Sequence, residues 1–156
     1  EKLRILNPLA EQSATINRMV DFAVGASLRR GIDFLVNGNM HDHDAPVYTG
    51  ELQVWEIANK SLMDHPFHLH GFFFQVIQEN GKAPSYVAWK DVVNLEPRSK
   101  VKIAWLPDQR TGSWMYHCHI IEHHAAGMMA HFDIVRRDKA IQVSQADATN
   151  IEMEVL

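Results

Sequence analysis

Short apolar runs, broken by turn-forming residues, divide this chain into a series of small segments. The cleanest is 100–105 (KVKIAW), where Val101, Ile103 and Trp105 share one side of an extended strand, because successive side chains of a strand point to opposite faces. Residues 15–22 (TINRMVDF) alternate more roughly and are predicted as a strand. The same prediction holds for 51–59 (ELQVWEIAN), 71–78 (GFFFQVIQ), 114–119 (WMYHCH) and 130–135 (AHFDIV). The phenylalanines of 71–78 are expected in the core. The apolar stretch 34–36 runs into Asn37-Gly38-Asn39, and Glu79-Asn80-Gly81 ends the 71–78 run; both triplets are turn chemistry. Residues 40–50 (MHDHDAPVYTG) are polar, contain a proline, and are expected to form a loop. Helix is scarce: 121–129 has room for a short turn of it. The tail 136–156 is polar and carries no firm pattern. Regular short strands with turns between them predict one all-β domain over 1–156, a sandwich or Greek-key barrel.

Composition narrows the function more than the fold. A chain of 156 residues, 46% apolar, is long enough for one real core. Its formal charge of −4 offers nothing to a polyanion such as nucleic acid. No run approaches the ~18 apolar residues of a membrane span. The chain begins Glu-Lys-Leu, so a mature or cut end is expected, with any targeting segment already removed. A single cysteine excludes an internal disulfide. Ten histidines are many for this length, and two short stretches hold most of them.

Those stretches are DHPFHLHG, from Asp64 to Gly71, and HCHIIEHHAAGM, from His117 to Met128. On an extended backbone His68 and His70 share a face, and so do His117 and His119. Cys118 then points the other way. His65, three residues before His68, falls on the face opposite to it. Parity therefore sorts the candidates into two sets. The first is His65 and Cys118, joined by His123 and Met128 from the turn that follows. Two imidazoles, a thiolate and a weak axial thioether are the ligands of a blue-copper electron-transfer site. Zinc suits this set less well, because methionine is not among its usual ligands. The second set is His68, His70, His117 and His119. Four imidazoles suit copper ions that bind and reduce a small molecule such as dioxygen, but they cannot fill a cluster of several metals. Cys118 is joined by backbone to both His117 and His119, a short covalent route between the sets.

HPFHLHG and HCHIIEHHAAGM resemble the two C-terminal copper-binding motifs of the multicopper oxidases: laccases, bilirubin oxidases and copper-efflux oxidases. The flanking FLVNGNMHDHDAPVYTGELQVWEIANKS and ENGKAPSYVAWKDVV are similar to the last cupredoxin domain of those enzymes. The resemblance spans roughly 15–135 and implies a cupredoxin-like Greek-key fold. It implies that His65, Cys118, His123 and Met128 are type 1 copper ligands, that His68 is a type 2 ligand, and that His70, His117 and His119 are type 3 ligands. It further implies that His123 and Cys118 carry electrons from a small reducing substrate to a trinuclear cluster that reduces O2 to water. The cluster needs four further histidines from an N-terminal cupredoxin domain, on the same polypeptide or a separate chain. An extracytoplasmic location, periplasmic or secreted, follows from the resemblance alone.

Several side chains have plainer readings. His41 and His43 are expected on a solvated loop, His124 on the surface, His131 turned toward solvent, and Met129 packed. Asp91 is a candidate hydrogen-bond partner of a ligand histidine, or a turn cap. Glu122 and Asp64 adjoin ligands and either tune them or do nothing. A copper nitrite reductase is disfavoured by the cysteine with a histidine on each side. A non-enzymatic blue-copper carrier leaves the second set without a role. Within the oxidases, the short, methionine-free 22–34 stretch leans toward a phenol-oxidising laccase over a cuprous or other metal-ion oxidase of the copper-efflux type.

Overall fold

The computed structural model describes residues 6–137; the predicted tail lies outside the described residues from 138 onward. In chain order the strands are β1 (Arg18–Ser27), β2 (Gly31–Val36), β3 (Asp42–His43), β4 (Val47–Tyr48), β5 (Gln53–Asn59) and β6 (His65–Leu69). They continue with β7 (Phe74–Glu79), β8 (Trp89–Lys90), β9 (Val92–Leu95), β10 (Lys100–Trp105) and β11 (Gly112–Cys118). A short helix, α1 (Ile121–Ala125), precedes β12 (Met129–Val135).

Two sheets face each other. One runs in the order β2-β1-β5-β10-β7-β8, the other β3-β12-β11-β6-β9, with β4 also paired to β12. The alternation read from the sequence is what joins them. Val20, Phe22, Trp55, Ile57, Ile103 and Trp105 face inward from the first sheet. Phe67, Leu69, Tyr116, Cys118, Phe132 and Ile134 meet them from the second. Trp55 sits edge-on to Trp105, Tyr116 and Phe132 at centroid distances of 5.2, 5.5 and 5.5 Å. Such edge-to-face pairs stabilise by about 0.5–1.5 kcal/mol each beyond their buried area.

The sequence expectations hold for the long strands and shift at their ends. The 15–22 strand begins at Arg18 and runs on to Ser27, because its second half pairs with β2 from Phe22↔Val36 to Ser27↔Gly31. The 40–50 loop contains two strands of two residues each, β3 and β4, both parallel to β12. Segments that short show no alternation, and their backbone partners lie far along the chain. The 71–78 strand starts only at Phe74, since Gly71 turns the chain at φ 75°. That turn puts Phe72 and Phe74 in the core but leaves Phe73 64% exposed, so only two of the three phenylalanines are core. The helix covers 121–125, not 121–129. β8 and β9 were not expected; they close the far edges of the two sheets.

Parity at the two histidine stretches is kept. In β6, His65, Phe67 and Leu69 are buried while Pro66 and His68 lie on the outer face. β6 pairs with β11 through Leu69↔Tyr116, Phe67↔Cys118 and His68↔His117. The two strands thus bring both stretches side by side at one end of the sandwich.

Candidate metal centre

On the inner side of β6 and β11, three donor atoms converge. His65 Nδ1 and His123 Nδ1 are 3.1 Å apart. Cys118 Sγ lies 3.7 Å from the first and 3.5 Å from the second. Donors that each stand about 2.0–2.3 Å from one ion are separated from one another by roughly 3–4 Å, so the triangle has the size a metal requires. His65 and Cys118 are held by strands. His123 comes from α1, and Met128 follows after the sharp bend at Gly127 (φ 118°). The bend is tied down by main-chain bonds: Cys118 N donates to Met128 O (3.1 Å), and Met128 N donates to His123 O (3.0 Å). Met128 is fully buried in the core beside Cys118.

The surroundings of His65 suit one tautomer. Its Nε2 lies 2.8 Å from the Ser61 hydroxyl. That hydroxyl donates to Asn59 Oδ1 (2.9 Å) and accepts from Met63 N (3.1 Å). When its proton goes to Asn59 Oδ1 or to Met63 O (3.2 Å), the hydroxyl is placed to accept from His65 Nε2–H, the tautomer that leaves Nδ1 bare for a metal. Asn59 is itself anchored: its Nδ2 donates to the carbonyls of Met63, Leu95 and Glu96.

The outer side carries the second set. The His70 and His117 Nε2 atoms approach to 2.9 Å. Ring centroids of His68 stand 4.8 Å from His70, 5.4 Å from His117 and 5.2 Å from His119. Donor atoms of His68, His70 and His117 all lie within 4.8 Å of one another; His119 borders the group at 6.0 Å from His117. His68 Nδ1 donates to Asp91 O (2.8 Å) and His117 Nδ1 to Cys118 O (2.7 Å), so Nε2 is the free nitrogen on both. Asp91 therefore acts through its main-chain carbonyl, not its carboxylate. His70 and His119 are exposed on this face.

The electrostatics favour a metal over a proton. Burial holds His65 and His117 down to about 4 and lowers His123 as well, while partial desolvation and the neighbouring His68, His119 and His124 lower His70. These imidazoles are thus neutral lone-pair donors at neutral pH. Burial pushes the Cys118 thiol up to about 11, so only a bound cation keeps it as the thiolate. Glu122 and Asp64 oppose the lowering at His123 and His65 respectively; both are exposed. Asp64 also accepts a bond from Asn94 Nδ2 (2.8 Å). Soft sulfur and imidazole with no carboxylate is a donor set for copper.

Other expectations fare differently. His43 is exposed, 3.9 Å from the Asp133 carboxylate, and His41 is exposed as well. His131 is half-buried across from His43, and Met129 is likewise half-buried. His124 is not a plain surface residue. Its ring packs 4.7 Å from that of His117, and its buried Nδ1 has no partner among the described residues. Sequence reading missed Ser61 and Asn59, whose spacing to His65 has no periodic signal. It also missed Trp114, whose ring fills the space where Gly71 would carry a Cβ.

A family model for multicopper oxidases matches residues 10–138. A multicopper oxidase of Staphylococcus aureus is 33% identical over 144 residues, covering 85% of this chain and 32% of the relative. A laccase of Haloferax volcanii is 33% identical over 152 residues, covering 90% of this chain and 26% of the relative. Among solved structures, a multicopper oxidase from Campylobacter jejuni described as a metallo-oxidase superposes with a TM-score of 0.72 at 29% identity, covering 85% of this chain and 32% of that one. The chain spans about a third or less of the length of these proteins.

Proposed function

The chain belongs to the multicopper oxidases, and on that premise we propose that it is the domain through which electrons from a small reducing substrate reach an oxygen-reducing copper cluster. His65, Cys118, His123 and Met128 would hold the type 1 copper. His68 serves the type 2 position, and His70, His117 and His119 serve the type 3 pair. Copper bound in these two sets supplies one-electron oxidation on the inner side and reduction of dioxygen to water on the outer side.

The observation that carries the reading is the placement of two donor sets on opposite faces of one strand end. Cys118 Sγ faces the inner histidines at 3.5–3.7 Å, while its two covalent neighbours belong to the outer set. The chain's own residues perform distinct tasks here. Ser61 keeps His65 in the tautomer that presents Nδ1. Phe67, Leu69 and Tyr116 keep water from the thiolate side. Asp91 O orients His68. Four histidines cannot complete a trinuclear cluster, so a further cupredoxin domain supplies the remaining four.

A small phenolic reductant is the favoured substrate class. Metal-ion oxidation has one observation on its side: Met63, two residues before His65, is 43% exposed, and its thioether offers a soft cuprous ion a landing point. Oxygen uptake with a phenol against uptake with a cuprous complex separates the two. The reading as a whole is tested by a native mass spectrum of the complete protein together with its visible spectrum. The expected result is about four coppers per assembled enzyme, and a blue band that Cys118→Ser abolishes. A single copper, or a band that survives the substitution, would overturn it.

A further inference from the structure

The two inner histidines are held in unlike ways. His65 sits on a strand and is bonded to Ser61 at its far nitrogen. His123 sits on a helix of five residues whose N-terminus has no side-chain cap bond. So short a helix has little stability of its own; main-chain bonds hold its backbone at His123, but the direction of the imidazole needs a side-chain contact. The Phe34 ring supplies it. Phe34 belongs to β2, in the opposite sheet, and its ring lies nearly parallel to the His123 imidazole, at a centroid distance of 4.2 Å and 20° between planes. His65 meets the same imidazole edge-on at 4.9 Å. The segment after β2 braces the same stretch of chain. His41 N donates to Gly127 O (2.9 Å), and Met40 side-chain atoms lie 2.8–3.0 Å from where a Cβ on Gly127 would stand.

We propose that Phe34 is the positioning residue of His123: its stacked ring fixes the direction in which Nδ1 points and closes one face of the imidazole to incoming reductants. The inference rests on the reading of His65, Cys118 and His123 as the type 1 ligands. A reductant then meets His123 at the edge Phe34 leaves free, so Phe34 also shapes which donors couple well. Two residues along the same strand, Val36 is fully buried in the core, which makes it the packing control.

The test compares Phe34→Leu, Phe34→Tyr and Val36→Ala in the complete, copper-loaded protein. The readouts are the position of the thiolate-to-copper band, the copper hyperfine splitting, and copper affinity by chelator competition. In Phe34→Leu we expect type 1 affinity to fall about two- to tenfold, the worth of a lost aromatic stack, with a shifted band and an altered splitting. Phe34→Tyr restores all three. Val36→Ala lowers Tm and moves none of them. A Phe34→Leu protein with wild-type affinity and an unmoved band overturns the inference while leaving the type 1 reading intact. A blue band that survives Cys118→Ser overturns the type 1 reading itself, and the inference with it.

Discussion

Ser61→Ala isolates the argument that a hydroxyl fixes the ligand form of His65. The substitution removes one oxygen from a packed site. That oxygen lies 2.8 Å from His65 Nε2, 2.9 Å from Asn59 Oδ1 and 3.1 Å from Met63 N. Two independent routes give the size of the effect. Leaving a buried donor without a partner costs about 1–3 kcal/mol, and His65 is fully buried. Losing the outer partner of a metal-bound histidine lowers metal affinity about 10–100-fold, which is about 1.4–2.7 kcal/mol. The two ranges coincide, as they should if the hydroxyl acts on the metal site through the imidazole. The assay is competition between the complete protein and a copper chelator, followed by the intensity of the thiolate band. The expected result is weaker type 1 binding in Ser61→Ala and near-wild-type binding in Ser61→Thr, which keeps the hydroxyl. Wild-type affinity in the alanine variant would refute the tautomer argument, because His65 would then present Nδ1 without help.

Three further outcomes follow from the geometry. On the proposed ligand set, Met128→Leu takes away a thioether donor and is expected to raise the type 1 reduction potential; a redox titration that finds no rise removes Met128 from the ligand set. Gly71→Ala places a Cβ 2.2 Å from a Trp114 ring carbon at φ 75°. The backbone term alone costs about 1–2 kcal/mol, so Tm should drop and the outer copper signals should change before the blue band does, whereas an unchanged Tm would show that Trp114 gives way. The copper-free protein should lose stability in acid. His65 and His117 titrate near 4 when folded against an ordinary 6.5, so the unfolded chain binds the extra protons as pH falls from 6.5 toward 4. Stability is full above 6.5 and declines below it by up to about 3 kcal/mol per histidine; denaturant curves that coincide at pH 7 and pH 4.5 would contradict the burial argument.

What could be read from the sequence was whatever repeats with the period of a strand. The inward Val101, Ile103 and Trp105, and the opposed directions of Cys118 and its neighbours, follow from period two alone. β3 and β4 were invisible because two residues cannot show a period, and their partners on β12 are distant in sequence. Phe73 was misplaced because the run of three phenylalanines hides the turn at Gly71. Ser61 and Phe34 were beyond reach for a different reason. Each acts on a ligand through a loop or from the opposite sheet, and nothing local marks a serine or a phenylalanine for such a task. His124 was misjudged because adjacency to a ligand says nothing about which neighbouring strand its ring will meet.

The strand end at 117–119 divides the domain into a finished half and an unfinished one. Inward, the donors of His65, Cys118 and His123 are buried, and their known supports, Ser61, Asn59 and the Met128 main chain, belong to this same chain. Outward, His70 and His119 stand in solvent, and a cluster built on four imidazoles has coordination to spare. The same two strands therefore impose different dependence on the rest of the protein. The inner site's affinity and potential respond to substitutions within this domain. On the proposed reading, the outer site's copper content depends in addition on a second domain closing over it. Weakening that closure should empty the outer face first and leave the blue colour in place. Weakening Ser61 should do the reverse.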